Sequence, residues 1–104
     1  MTINEIKRKL DASASVETDK PCVGVYAGDF LSRVMSRAPS DCVWLTVMSN
    51  VNVAGVAALA EVSAVVLCEG VKPDAQLTEK CRQEGISLLT TSLGMYEACV
   101  RLAT

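Results

Sequence analysis

The side chains able to do chemistry in this sequence are few, and most carry no charge. The stretch "TVMSNVNVAGVAALAEV", Thr46 to Val62, sets Ser49, Asn50 and Asn52 at the mouth of an apolar segment. Hydroxyl and amide groups at that position either cap a helix, receive a polar ligand at its N-terminus, or do both. Asp29 and Glu69 are carboxylates that could meet at one sheet edge as an acid/base pair. The same two residues also read as a helix N-cap and a solvated loop residue. The chain has no His, so Ser–His and Cys–His nucleophile pairs cannot be built from it. Neither G-x-x-x-x-G-K-[ST] nor G-x-G-x-x-G occurs, which removes the common phosphate-cradling loops. No catalytic role is expected.

The five cysteines are Cys22, Cys42, Cys68, Cys81 and Cys99, with no C-x-x-C and no close pair. Zinc and iron–sulfur sites use tighter ligand spacing. Cys22, Cys42 and Cys68 lie in or beside apolar runs, where Cys behaves as a small hydrophobe. They are expected to be buried, unpaired and free of metal. No cofactor is expected. An odd number of thiols without a framework fits a reducing compartment, and the charged N-terminus "MTINEIKRKL" has no apolar signal core. A cytoplasmic location follows as the expectation. Net charge is −2 and no basic stripe is interleaved with aromatics, which argues against nucleic-acid binding. No apolar run is long enough for a membrane span.

The elements that must position these groups follow from periodicity. Ile3, Ile6 and Leu10 share one helical face, capped by a Thr2/Glu5 box. A short strand is expected near Ala14–Val16, and another over "CVGVYAG". Asp29 then reads as the N-cap of "FLSRVMSRA", stopped by Pro39. "DCVWLTVMS" and "SAVVLCEG" are apolar on both faces, as buried parallel strands are. Between them "VNVAGVAALAE" forms a helix nearly apolar all round. Gly55 in its middle costs roughly 1 kcal/mol against Ala, which implies close approach of another backbone. "KPDAQLTEKCRQEG" is a surface helix with Pro73 in its first turn and Gly85 at its C-terminal end. "ISLLTT" is the last strand, and Ser92 caps the closing helix.

The order is helix, then strand and helix four times: an α/β fold with a single open, mostly parallel sheet and flanking helices. With 104 residues and no linker or repeat, one domain over 1–104 is expected. In such a sheet, ligands bind outside the carboxyl ends of the strands. That rule selects Gly28, Asp29, Ser49, Asn50, Asn52, Glu69, Gly70, Thr91 and Ser92 as candidate ligand-binding residues. The apolar helix after Ser49 shows too little polar surface to face water all round, so a homodimer is expected.

The segments "YAGDFLSRVM", "MSNVNVAGVAAL", "VVLCEGVKPD" and "GISLLTTSLGMYEA" carry a resemblance. The chain resembles the DRTGG domain family over about Ile3 to Leu102. It is most similar to the small stand-alone members described as like the N-terminal region of HPr kinase/phosphorylase, some of them hydrogenase-associated. Ser49-Asn50 stands where many members have Asp-Arg, and Cys68-Glu69-Gly70 where they have Thr-Gly-Gly. The resemblance implies an HPr kinase N-terminal domain-like α/β fold, dimerisation, and a regulatory or ligand-sensing role for a small polar or nucleotide-like ligand. It also implies a redox, hydrogenase or signalling setting with a protein partner. Kinase activity belongs to a separate P-loop domain absent from this sequence. The competing reading is a pure protein-interaction subunit with no small ligand.

Overall fold

A computed structural model describes residues 1–104. Chain order is α1 (Ile3–Leu10), β1 (Ser13–Val16), β2 (Val25–Ala27), α2 (Leu31–Arg37), β3 (Val43–Thr46), α3 (Asn52–Ala60), β4 (Ala64–Leu67), α4 (Ala75–Glu84), β5 (Ser87–Thr90) and α5 (Met95–Ala103). The strands form one five-stranded sheet in the order β1-β5-β4-β3-β2. Strands β2 to β5 are parallel. β1 closes the other edge antiparallel to β5, with Ser13 opposite Thr90 and a bulge between Ala14 and Val16.

The sheet divides the core in two. On one face α2, α3 and α4 pack Val34, Val53, Ala57, Leu77 and Cys81 against Trp44, Val65, Leu67 and Leu88. On the other, α1 and α5 pack Ile6, Leu10, Ala98 and Leu102 against Val43, Leu45, Val66 and Leu89. Every residue of β3 and β4 is buried, which explains their continuous apolar runs: alternate side chains serve opposite layers.

Thr2 and Glu5 form the expected capping box, with Glu5 N donating to Thr2 Oγ1 at 3.1 Å and Thr2 N to Glu5 Oε1 at 2.9 Å. Gly85 ends α4 in the left-handed region, where a missing Cβ removes the steric penalty. Several expectations are corrected. Pro73 lies outside the first turn of α4, because Asp74 is the N-cap and accepts from Leu77 N at 2.7 Å. The "CVGVYAG" strand shrinks to Val25–Ala27.

Gly55 meets no backbone neighbour: a Cβ built there has nothing within 4 Å. The close approach expected from sequence is absent. Gly55→Ala therefore removes the helix-interior glycine penalty without a clash. It should raise stability by about 0.5–1 kcal/mol, read from the urea midpoint at unchanged m-value. α3 is also less bare than its sequence implied. It lies between α2 and α4, Val53, Ala54 and Ala57 are buried, and Leu59 is its exposed apolar residue. No helix is long and apolar enough to cross a membrane.

Candidate functional site

Four parallel strands deliver their following loops to one edge of the sheet. The candidate residues lie there, and the structure gives them different tasks. After β2, Trp44 Nε1 donates to the Gly28 carbonyl at 2.8 Å. Asp29 does not cap α2; Phe30 occupies that position without a side-chain bond. Its carboxylate reaches across to β3 instead. Asp29 Oδ1 accepts from the Thr46 hydroxyl at 2.7 Å and from Val47 N at 2.9 Å. A carboxylate accepting two donors in this way fastens the end of one strand to the next.

After β3, Asn50 Oδ1 accepts from Asn52 N at 2.9 Å, an Asx turn formed just before the helix. Val51 is the N-cap, with no side-chain bond of its own. Asn50 thus satisfies one of the helix's orphan donors from outside the cap, and Ser49 leaves its hydroxyl free of that task. The Ser49 carbonyl accepts from Asp74 N at 3.3 Å, which joins this loop to the one after β4.

After β4, Glu69 (φ 63°) and Gly70 (φ 71°) are both left-handed. Val71 N donates to Cys68 O at 3.3 Å, the closing bond of a type I′ turn. Such a turn suits Gly at both central positions; Glu69 occupies the first at a cost of roughly 1–2 kcal/mol. Two bonds tie this turn to the loop after β5, Glu69 N to Leu93 O at 2.8 Å and Gly70 N to Thr91 O at 2.9 Å. Thr91 is buried. Its hydroxyl donates to Leu10 O at 2.7 Å and accepts from Leu93 N at 3.2 Å. Ser92 is exposed and does not cap α5, whose N-cap is Gly94. Asp29 and Glu69 follow strands separated by β3, and the Asp29 oxygen is already committed to Thr46 and Val47.

The helices after β2, β3 and β4 all pack on one face, whereas α5, after β5, packs on the other. The chain therefore parts to opposite faces between neighbouring strands β4 and β5. This is the topological switch point at which open α/β sheets place their crevices. A cleft of about 230 Å³ opens there, lined by Gly70, Thr91 and Ser92 with Asp11, Ser13, Val71, Lys72 and Thr90. Asp11, Ser13 and Lys72 escaped the sequence reading. Asp11 and Ser13 reach the cleft only because antiparallel β1 starts at the edge where β5 ends, a pairing that nothing local in the sequence encodes, whereas Lys72 comes from the segment between β4 and α4. Gly28, Asp29, Ser49, Asn50 and Asn52 lie on the same edge, outside this cleft. Three other hollows lie elsewhere. One of about 420 Å³ is beside Thr2–Asn4 and Glu17–Asp19, and two share Lys20, Asp41 and Ser63 at the opposite end of the strands.

All five cysteines are free thiols, and all but the half-buried Cys99 are buried. Burial pushes the thiols of Cys22, Cys42, Cys68 and Cys81 up to about 11. Such thiols are poor nucleophiles at neutral pH. At pH 8 an alkylating reagent should modify Cys99 alone until denaturant is added, as mass spectrometry of the intact chain will show. Stability should also fall between about pH 9 and 11. There the unfolded chain releases thiol protons that the folded chain retains, so the unfolded state binds fewer protons and gains as pH rises.

No protein-family model matches the sequence, and no curated protein does either. A solved structure does match: the CBS and DRTGG domains of the regulatory region of Clostridium perfringens pyrophosphatase, complexed with the activator diadenosine tetraphosphate. The TM-score is 0.80 at 15% identity, over 97% of this chain and 45% of that one.

The fold is DRTGG-like. This chain spans about 45% of the chain it matches, and at that identity the likeness is one of architecture. The DRTGG-like fold here is the five-stranded, mostly parallel sheet with helices on both faces, and the parting of α4 and α5 is the feature that opens its carboxyl edge.

Proposed function

We propose that residues 1–104 act as one non-catalytic regulatory module that senses a small polar or nucleotide-like ligand at the carboxyl edge of the sheet. The observation that carries this reading is the cleft at the β4/β5 switch point, where Gly70, Thr91 and Ser92 come together. The fold likeness supports it, since the solved chain, 45% of which this one covers, is a regulatory region complexed with an activator nucleotide. The absence of His from the sequence and the internal engagement of Asp29 support a binding role over a catalytic one. Free, widely spaced thiols suit a cytoplasmic setting, and the redox or signalling context remains part of the proposal.

The module is proposed to work as a homodimer. The apolar surface supporting this is on the open β2 edge and the helix beside it: Val23, Val25, Tyr96 and Val100 are exposed, and α5 lies against β2. The same surface, with exposed Phe30, favours the second reading, a pure interaction subunit docking on a redox or signalling protein.

Thermal unfolding with AMP, ATP, diadenosine tetraphosphate and the standard α-amino acids, read alongside light scattering, separates the two. A ligand bound only by the native state adds about 2.7 kcal/mol at a hundredfold excess over Kd. The sensing module should melt higher with at least one of them and scatter as a dimer. An unchanged melting temperature with every compound, together with a monomeric mass, would favour the interaction subunit.

A further inference from the structure

The switch-point cleft contains one anion and one cation, Asp11 and Lys72, that are not paired with each other. The ion pairs of the molecule are Lys7–Glu17, Lys80–Glu84, Arg82–Glu79 and Arg101–Glu97, and neither cleft residue enters them. The Asp11 carboxylate and the Lys72 ammonium form no side-chain hydrogen bond with the protein either. Two other carboxylates at this edge are occupied, Asp29 by Thr46 and Val47 and Asp74 by Leu77, and Glu69 lies outside the cleft lining. The cleft thus retains one free charge of each sign.

Both charges sit on fixed backbone. Asp11 is the left-handed C-cap of α1, with its N–H on Arg8 O and Lys7 O. Lys72 follows the Glu69–Gly70 turn, and that turn is bonded to Thr91 and Leu93. Between them the cleft offers Ser13, Thr90 and Ser92 as neutral hydrogen-bonding side chains, with Gly70 contributing no side chain. The space of about 230 Å³ falls below the roughly 300–1,000 Å³ that encloses a drug-sized ligand. A polyphosphate would bring several negative charges to a single lysine and an opposing aspartate, in a chain of net charge −2.

We infer that this cleft binds a small zwitterion of the α-amino acid type, its ammonium on Asp11 and its carboxylate on Lys72, with the hydroxyls of Ser13, Thr90 and Ser92 around them. The inference rests on the ligand-sensing reading and narrows its ligand class. A carboxylate and an ammonium carried on one molecule give each of the two unpaired charges an opposite partner, and each contact is a charge-assisted hydrogen bond.

The test is an amide chemical-shift titration of the full chain with each standard α-amino acid in turn, taken to millimolar concentration. Acetate, methylammonium, inorganic phosphate and AMP are run as separate arms. At least one amino acid should move the amides of residues 11–13, 70–72 and 90–93, and more strongly than acetate or methylammonium alone. Asp11→Asn keeps the size of the side chain and tolerates the left-handed backbone; Lys72→Met keeps most of the stem. Each should weaken binding about tenfold or more with an unchanged melting temperature. Titration curves unaltered in both variants would overturn the charge assignment, as would acetate binding as tightly as the amino acid. Should AMP or phosphate move these amides while no amino acid does, the zwitterion is wrong and the sensing reading survives. If no compound moves any amide of the carboxyl edge, both fail together.

Discussion

Trp44→Ala should cost about 3–5 kcal/mol, the usual loss when a fully buried large aromatic side chain is truncated. Trp44 sits in the middle of the central strands with no exposed surface. It fills the layer under α2 and α3 beside Val53 and Val65. Its ring also does a polar task, donating to the Gly28 carbonyl at 2.8 Å. Against the roughly 5–15 kcal/mol that stabilises a domain of this size, this loss should move the urea midpoint far down. Trp44→Phe separates the two contributions. It keeps most of the packing and leaves the Gly28 carbonyl without its donor, so a loss of about 1–3 kcal/mol is expected. Urea unfolding followed by far-ultraviolet circular dichroism measures both, because the substitutions remove the single tryptophan that fluorescence would use. A loss under about 1 kcal/mol for the alanine variant would contradict the packing described here.

Thr91→Val should cost about 2–4 kcal/mol although it is nearly isosteric. The hydroxyl is buried, donates to the last carbonyl of α1 at 2.7 Å and accepts from Leu93 N at 3.2 Å. Valine leaves both groups unsatisfied, and each costs about 1–3 kcal/mol when water cannot replace the lost partner. Thr91→Ser keeps the oxygen and should lose about 1 kcal/mol for the missing methyl. Ligand affinity, measured where the variants remain folded, should change little, because the hydroxyl points to protein groups. An affinity loss in the Ser variant larger than its stability loss would instead put Thr91 in contact with ligand.

Much of the architecture was legible because it is local. The unbroken apolar runs around Val43–Thr46 and Ala64–Leu67 could only be strands covered twice, and the capping box at Thr2 and the glycine at 85 mark helix ends by side-chain chemistry. What escaped depends on partners remote in sequence. Asp29 looks like a cap because it precedes a helix, yet a stronger offer comes from Thr46 and Val47 on the next strand. Ser92 is the expected cap type, but the chain makes two more residues of turn before α5 begins at Met95. Gly55 reads as a packing contact and is open space. The candidate edge could be named from strand order alone. The cleft within it could not, since Asp11 and Lys72 meet there only through the pairing of β1 with β5.

That pairing also shapes how the chain is made. Strands β2, β3, β4 and β5 leave the ribosome in the order in which they lie side by side, so each can dock on its predecessor as it emerges. β1 is synthesised before all of them and has no partner until β5 appears; Thr91 and Leu10, bonded across this junction, are 81 positions apart. The short strand β1 must wait unpaired while most of the chain is translated, and Ile3, Ile6 and Leu10 of α1 stay uncovered at least until β3 and β4 supply their partners. Folding thus proceeds as stepwise growth along the sheet followed by one long-range closure, and the closure carries most of the loop entropy. During that interval the nascent chain presents an apolar helix face and an unpaired strand, the surfaces that holdase chaperones recognise.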